Sequence, residues 1–68
     1  MKIGEKYLID GALGTVVVIV EEALYSDRYP MAEWAGVLKS GILVEDERAG
    51  LVHYPDLDDL TVEKVQES

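Results

Sequence analysis

The chain has 68 residues, neither cysteine nor phenylalanine, and 14 acidic against six basic side chains, for a formal net charge of −8. A chain of this length holds one core, and without cysteine that core has neither disulfides nor thiolate metal sites to staple it. The charge opposes phosphate backbones and anionic membranes. Direct nucleic-acid or membrane binding is therefore not expected, whereas a basic partner is attracted.

Apolar residues make up 49% of the chain, which is ordinary globular content and excludes wholesale disorder. The opening Met1-Lys2-Ile3-Gly4-Glu5-Lys6 lacks the apolar stretch of a secretory signal. The longest apolar run, Val16-Val17-Val18-Ile19-Val20, is too short to span a bilayer. A cytoplasmic protein is the expectation, with residues 1–68 as a single domain.

In chain order, Lys6-Tyr7-Leu8-Ile9 reads as a strand. It stops at Asp10-Gly11-Ala12-Leu13-Gly14, a turn bracketed by glycines. Next come six β-branched residues, Thr15-Val16-Val17-Val18-Ile19-Val20, whose stiff χ1 torsions favour a strand. Their lack of alternation implies burial on both faces, or one face covered by a partner. These two strands form a hairpin.

Residues 21–40 are ambiguous. Tyr29-Pro30 blocks a helix arriving from upstream. Beyond it, Met31, Trp34, Ala35 and Leu38 recur at helical spacing, with Pro30 suited to the first turn and Gly41 to a C-terminal cap. The competing reading makes 35–38 a strand turned by Lys39-Ser40-Gly41. A short helix or helical turn is the favoured expectation.

A second hairpin follows. Ile42-Leu43-Val44-Glu45 and Leu51-Val52-His53-Tyr54 flank the polar turn Asp46-Glu47-Arg48-Ala49-Gly50. Pro55-Asp56-Leu57-Asp58-Asp59-Leu60 suggests a single turn of 3₁₀ type. Residues 61–65 alternate apolar and polar as a last strand, and Gln66-Glu67-Ser68 is expected to fray.

This succession resembles the SH3-like small barrels, in which a short 3₁₀ turn commonly precedes the last strand. Gly4-Glu5, Leu8-Ile9-Asp10-Gly11 and Gly14-Thr15-Val16-Val17 also look like the opening hairpin of a KOW-type segment. The resemblance implies a mainly β fold, a small, partly closed antiparallel barrel of about five strands. Segments of the KOW type often sit in proteins that bind RNA or ribosomes. The present 10–14 loop departs from them, for it carries no lysine or arginine to meet phosphate.

No catalytic constellation stands out. His53 has no evident orienting carboxylate and nucleophile, and reads better as a strand or turn histidine. Asp56, Asp58 and Asp59 lack the central glycine and distal glutamate of a calcium loop. They read as a solvated acidic turn. Glu45, Asp46 and Glu47 beside Arg48 belong to an exposed turn and carry no sign of acid–base tuning. Neither metal nor cofactor is implied.

One segment gathers residue types common at protein interfaces: Tyr25, Arg28, Tyr29, Met31 and Trp34. The same side chains could instead plug one end of the barrel. The functional expectation is a non-catalytic interaction module that acts through a protein partner or a homodimer, since small unstapled domains often recruit a second copy. The alternatives are a KOW-like nucleic-acid or ribosome-associated factor, or an acidic mimic of DNA.

Overall fold

A computed structural model describes residues 1–65, and in it Lys6–Ile9 (β1) and Ala12–Ile19 (β2) meet across a two-residue turn. Ile9 pairs with Ala12, and the intervening Asp10 and Gly11 have φ of 52° and 85°. Positive φ at both positions is the type I′ geometry, whose twist matches that of the flanking strands. Aspartate tolerates this conformation and glycine adopts it without a Cβ penalty. The turn is tighter than the five residues expected, because Ala12, Leu13 and Gly14 belong to β2. Gly14 is there for closeness: a Cβ at this position would run into the side chain of Val44.

The remaining elements are Leu24–Tyr25 (β3), the helical Met31–Trp34 (α1), Ile42–Asp46 (β4), Gly50–Tyr54 (β5) and Val62–Lys64 (β6). All strand pairs are antiparallel and form one sheet in the order β5-β4-β2-β1-β6, with β3 paired to the end of β2. The fold is mainly β, as expected, with six strands and one short helical piece among the described residues. The sheet does not close, so β5 and β6 remain as edges.

The register of β2 on β4 contains an irregularity that organises the core. Val16 pairs with Val44 and Val18 with Leu43, leaving Val17 as an extra residue. Side chains of a regular strand alternate between faces. A bulge interrupts that alternation. Here Val16 and Ile19 join Tyr7, Ile9, Ile42 and Val44 in one cluster. The adjacent Val17 and Val18 both join Leu38 and Leu43 in a second. Hence Val16, Val17, Val18 and Ile19 are all at most 5% exposed. Burial on both faces, one of the two alternatives implied by the unbroken apolar run, is what the fold contains.

Each cluster has its own cover. Ile3, Tyr54, Leu57, Leu60 and Val62 pack around the first. The Leu60 N–H donates to the Leu57 carbonyl at 3.1 Å, so a single turn brings both leucines there. Val20, Tyr25, Tyr29 and Trp34 pack around the second.

The helix starts after Pro30 as expected but stops at Ala35. The Trp34 carbonyl then accepts from the N–H groups of Val37 (3.0 Å) and Leu38 (2.9 Å), which turns Leu38 into the second cluster. Residues 35–38 form no strand. Gly41 is not a helix cap. It leads into β4 at φ 83°, where a Cβ would strike the Tyr54 carbonyl and the Pro55 backbone. Its N–H donates to Glu21 Oε1 at 2.6 Å and its carbonyl accepts from the Val20 N–H at 3.0 Å. The last strand is shorter than expected by one residue at each end, and residues 66–68, expected to fray, lie outside the described residues.

Val18 is fully buried. An unpaired carboxylate there has no solvent in reach, and Arg28, beside the cluster at Tyr29, is engaged by Glu45. Val18→Asp should cost at least about 3 kcal/mol, a large share of the stability of any small domain. Urea unfolding would check this, and an unchanged midpoint would refute the central place given to β2.

Candidate functional site

Tyr25 is held in β3 by pairing with Val18, and the next residue continues the attachment as the Ser26 N–H donates to the Val17 carbonyl at 3.0 Å. The chain then turns, with the Tyr29 N–H donating to the Ser26 carbonyl at 3.0 Å. This turn places the Tyr29 ring edge-on to Trp34, with centroids 5.4 Å apart and an interplanar angle of 71°. Such pairs contribute about 1 kcal/mol beyond their burial. The Arg28 guanidinium lies 5.9 Å from the Tyr29 ring centroid and donates to both carboxylate oxygens of Glu45, at 3.2 and 3.3 Å.

The five expected contact residues therefore divide. Tyr25, Tyr29 and Trp34 are half-buried against the second cluster, while Arg28 and Met31 are exposed. The Arg28 side chain is 75% exposed, so its ion pair with Glu45 contributes at most about 1 kcal/mol. What the pair does is geometric: it fastens the segment to β4. Sequence reasoning missed Glu45 as part of this site. The period of two along β4 carried a signal, since Glu45 shares a face with Leu43, the face that the segment covers.

The other candidates have structural partners. Asp46 Oδ1 accepts from the N–H groups of Arg48 (2.8 Å) and Ala49 (2.9 Å), closing the second hairpin turn. Those bonds, Ala49 foremost and then Arg48, hold the Asp46 carboxyl below the usual range. Asp56 Oδ1 accepts from the Asp58 N–H at 2.8 Å. His53, exposed on β5, sets Nε2 2.8 Å from the Ser40 carbonyl, where it acts as donor. Among the described residues no group of three or more acidic, histidine or cysteine side chains is arranged to hold a metal. A cleft of about 430 Å³ separates the two hairpin tips, residues 10–13 and 46–48. The tips are tied by the Glu47 N–H donating to the Leu13 carbonyl at 3.0 Å.

A polar knot joins β1 to β6. Lys64 Nζ lies 2.7 Å from Glu5 Oε2, and the Tyr7 hydroxyl donates to Glu5 Oε1 at 2.8 Å. The Lys64 ammonium, with help from Tyr7, holds the Glu5 carboxyl below its ordinary value, and Glu5 in turn raises Lys64. Burial raises the Tyr7 phenol, and Glu5 adds to the effect.

Comparison with known proteins finds no family model, no curated protein and no solved structure that matches the chain. Function must be read from the residues themselves.

The knot has a pH signature. Glu5, lowered in the fold, contributes stability that is present above its unfolded value near 4.5 and lost as pH falls through the folded value. Tyr7 and Lys64, raised in the fold, contribute below their unfolded values near 10.0 and 10.5, and lose that contribution as pH rises through the folded ones. Melting temperature should hold a plateau between these limits. Glu5→Gln should flatten the acid limb, as a pH series of melts on both proteins would reveal.

Proposed function

We propose that the protein is a non-catalytic, cytoplasmic interaction module that acts through a protein partner or a second copy, with residues 25–34 as its contact segment. The observation that carries this reading is the linkage of Trp34, Tyr29, Arg28 and Glu45. Three aromatic side chains anchor the segment on the second cluster, so its exposed Arg28 and Met31 stand on a fixed base. Aromatic, methionine and arginine side chains in such settings supply most of the energy of small interfaces, and a preformed surface lowers the ordering cost of binding. Of the acidic side chains considered for catalysis or metal binding, Asp46 and Asp56 cap turns and Glu45 and Glu47 form ion pairs.

The strand order β5-β4-β2-β1-β6, with a single turn before β6, supports the SH3-like reading of the fold. It lends no support to a KOW-like activity. The hairpin tips that would meet phosphate carry Asp10, Asp46 and Glu47 with one cation among them, Arg48, and Lys6 of β1 is engaged with Glu47 at 3.8 Å. In a gel shift at physiological salt, duplex DNA and RNA should migrate unchanged. A sub-micromolar shift with a steep salt slope would reinstate the nucleic-acid reading.

Substitutions separate contact from core. Met31→Ala and Arg28→Ala should weaken affinity capture from the native host, or self-association by light scattering, with melting temperature nearly unchanged. Trp34→Ala should reduce both association and stability, because the indole packs on the second cluster. If the two surface substitutions leave capture and mass untouched, the binding surface lies outside residues 25–34.

A further inference from the structure

Edge strands present a row of unpaired backbone N–H and carbonyl groups, and natural sheets blunt them with shortness, charge, proline or bulges. The sheet has two ends and a side branch. β6 is three residues long and carries Glu63 and Lys64, both exposed, and β3 has two residues. β5 is different. It is five residues long, Gly-Leu-Val-His-Tyr, without lysine, proline or bulge. Its register on β4 runs unbroken from Asp46 opposite Gly50 to Ile42 opposite Tyr54. Among the described residues it pairs with β4 alone, and Leu51 is 42% exposed.

The ends of β5 carry the charge that its middle lacks. Asp46 and Glu47 precede it, opposed by Arg48 in the turn and by Lys6, whose Nζ lies 3.8 Å from Glu47 Oε1, and Asp56, Asp58 and Asp59 follow Pro55. Self-pairing of β5 in antiparallel fashion would bring residues 46–48 of one copy beside 56–59 of the other. That sets like charges together at both ends, between chains of net charge −8. A strand with cations at its ends and β-branched residues between meets carboxylates at both ends. The edge also adjoins the contact segment, because Arg28 grips Glu45 and Glu45 lies opposite Leu51.

The geometry points to an extended, basic segment of a partner protein that docks on β5 by backbone pairing, as a further strand of the sheet. This rests on the interaction-module reading and names the chemistry of the partner.

The probes are three acetylated, amidated heptapeptides: alternating lysine and valine, the same peptide N-methylated at alternate positions, and alternating glutamate and valine. The lysine peptide should slow amide hydrogen exchange within Gly50–Tyr54 and bind at least about tenfold more tightly than either control. Its binding should weaken as salt rises. Leu51→Lys should weaken it about tenfold as well. Equal binding of the N-methylated peptide would reduce the effect to charge alone and overturn the inference. So would unslowed β5 amides, or a doubled mass that grows with salt, which would make the occupant a second copy. Host capture distinguishes the two readings. Capture that survives Leu51→Lys but is lost in Met31→Ala overturns edge docking and leaves the module standing. Peptide protection of β5 without any host capture sustains edge docking and counts against the module.

Discussion

The extra residue at Val17 is the constraint on which the rest of the molecule depends. With regular alternation, β2 would send Val16 and Val18 to one face and Val17 and Ile19 to the other, so the partners of Ile42 and Val44, which share a face of β4, would lie on opposite faces of β2. The bulge instead divides four consecutive apolar residues into Val16 and Ile19 on one side and Val17 and Val18 on the other. Each pair is completed from the facing strand, Ile42 and Val44 for the first cluster and Leu43 for the second. In a chain without cysteine, the bulge thereby matches both faces of β2 to the residues that β4 offers. The second cluster exists only because residues 25–38 fold back over it, so that covering segment and the bulge are parts of one arrangement.

How far the sequence disclosed this can be argued element by element. The unbroken run at 15–20 signalled burial on both faces or one face covered by a partner, and Pro30 with the helical spacing after it favoured a short helix where α1 lies. Pattern alone could not say what covered the second face, because the answer lies in Tyr25, Tyr29, Trp34 and Leu38, whose spacing suits an interface as well as a core. Glycine was the main source of error. Gly14 and Gly41 read as turn and cap, since glycine in sequence most often signals backbone freedom. Gly14 in fact serves close packing against Val44, and Gly41 combines positive φ with the approach of the Tyr54 carbonyl. Both requirements arise from neighbours distant in sequence. β3 was invisible for a similar reason: two residues make no pattern, and they are strand only because the end of β2 offers partners.

The proposed contact segment was legible in composition and not in connection. Aromatic, methionine and arginine side chains within ten positions marked it. The Arg28–Glu45 pair, 17 residues apart in sequence, required the sheet to bring β4 beneath the segment. The acidic excess likewise read as a coat of charge, yet many of its members accept specific donors. Glu21 holds the Gly41 N–H, Asp46 and Asp56 close turns, and Glu5 gathers Tyr7 and Lys64. Local rules anticipate the turn caps, which span two or three residues. The links across 20 and 59 positions follow only from the fold.

These placements bear on how an open sheet of this size selects what it pairs with. Side chains along β5 do little to deter another strand, so deterrence falls to the carboxylates before and after it. Repulsion placed at the ends of a strand acts on the charge of the incoming segment and leaves the central hydrogen-bonding groups accessible. Shortness, proline and bulges exclude every strand alike, as β6 and β3 do by length. End charge excludes some strands and admits others, and its strength depends on salt. An edge guarded in this way is selective by sign. On the edge-docking proposal, the acidic balance of the chain, which composition alone presented as a matter of solubility, would also select which strands can approach the sheet.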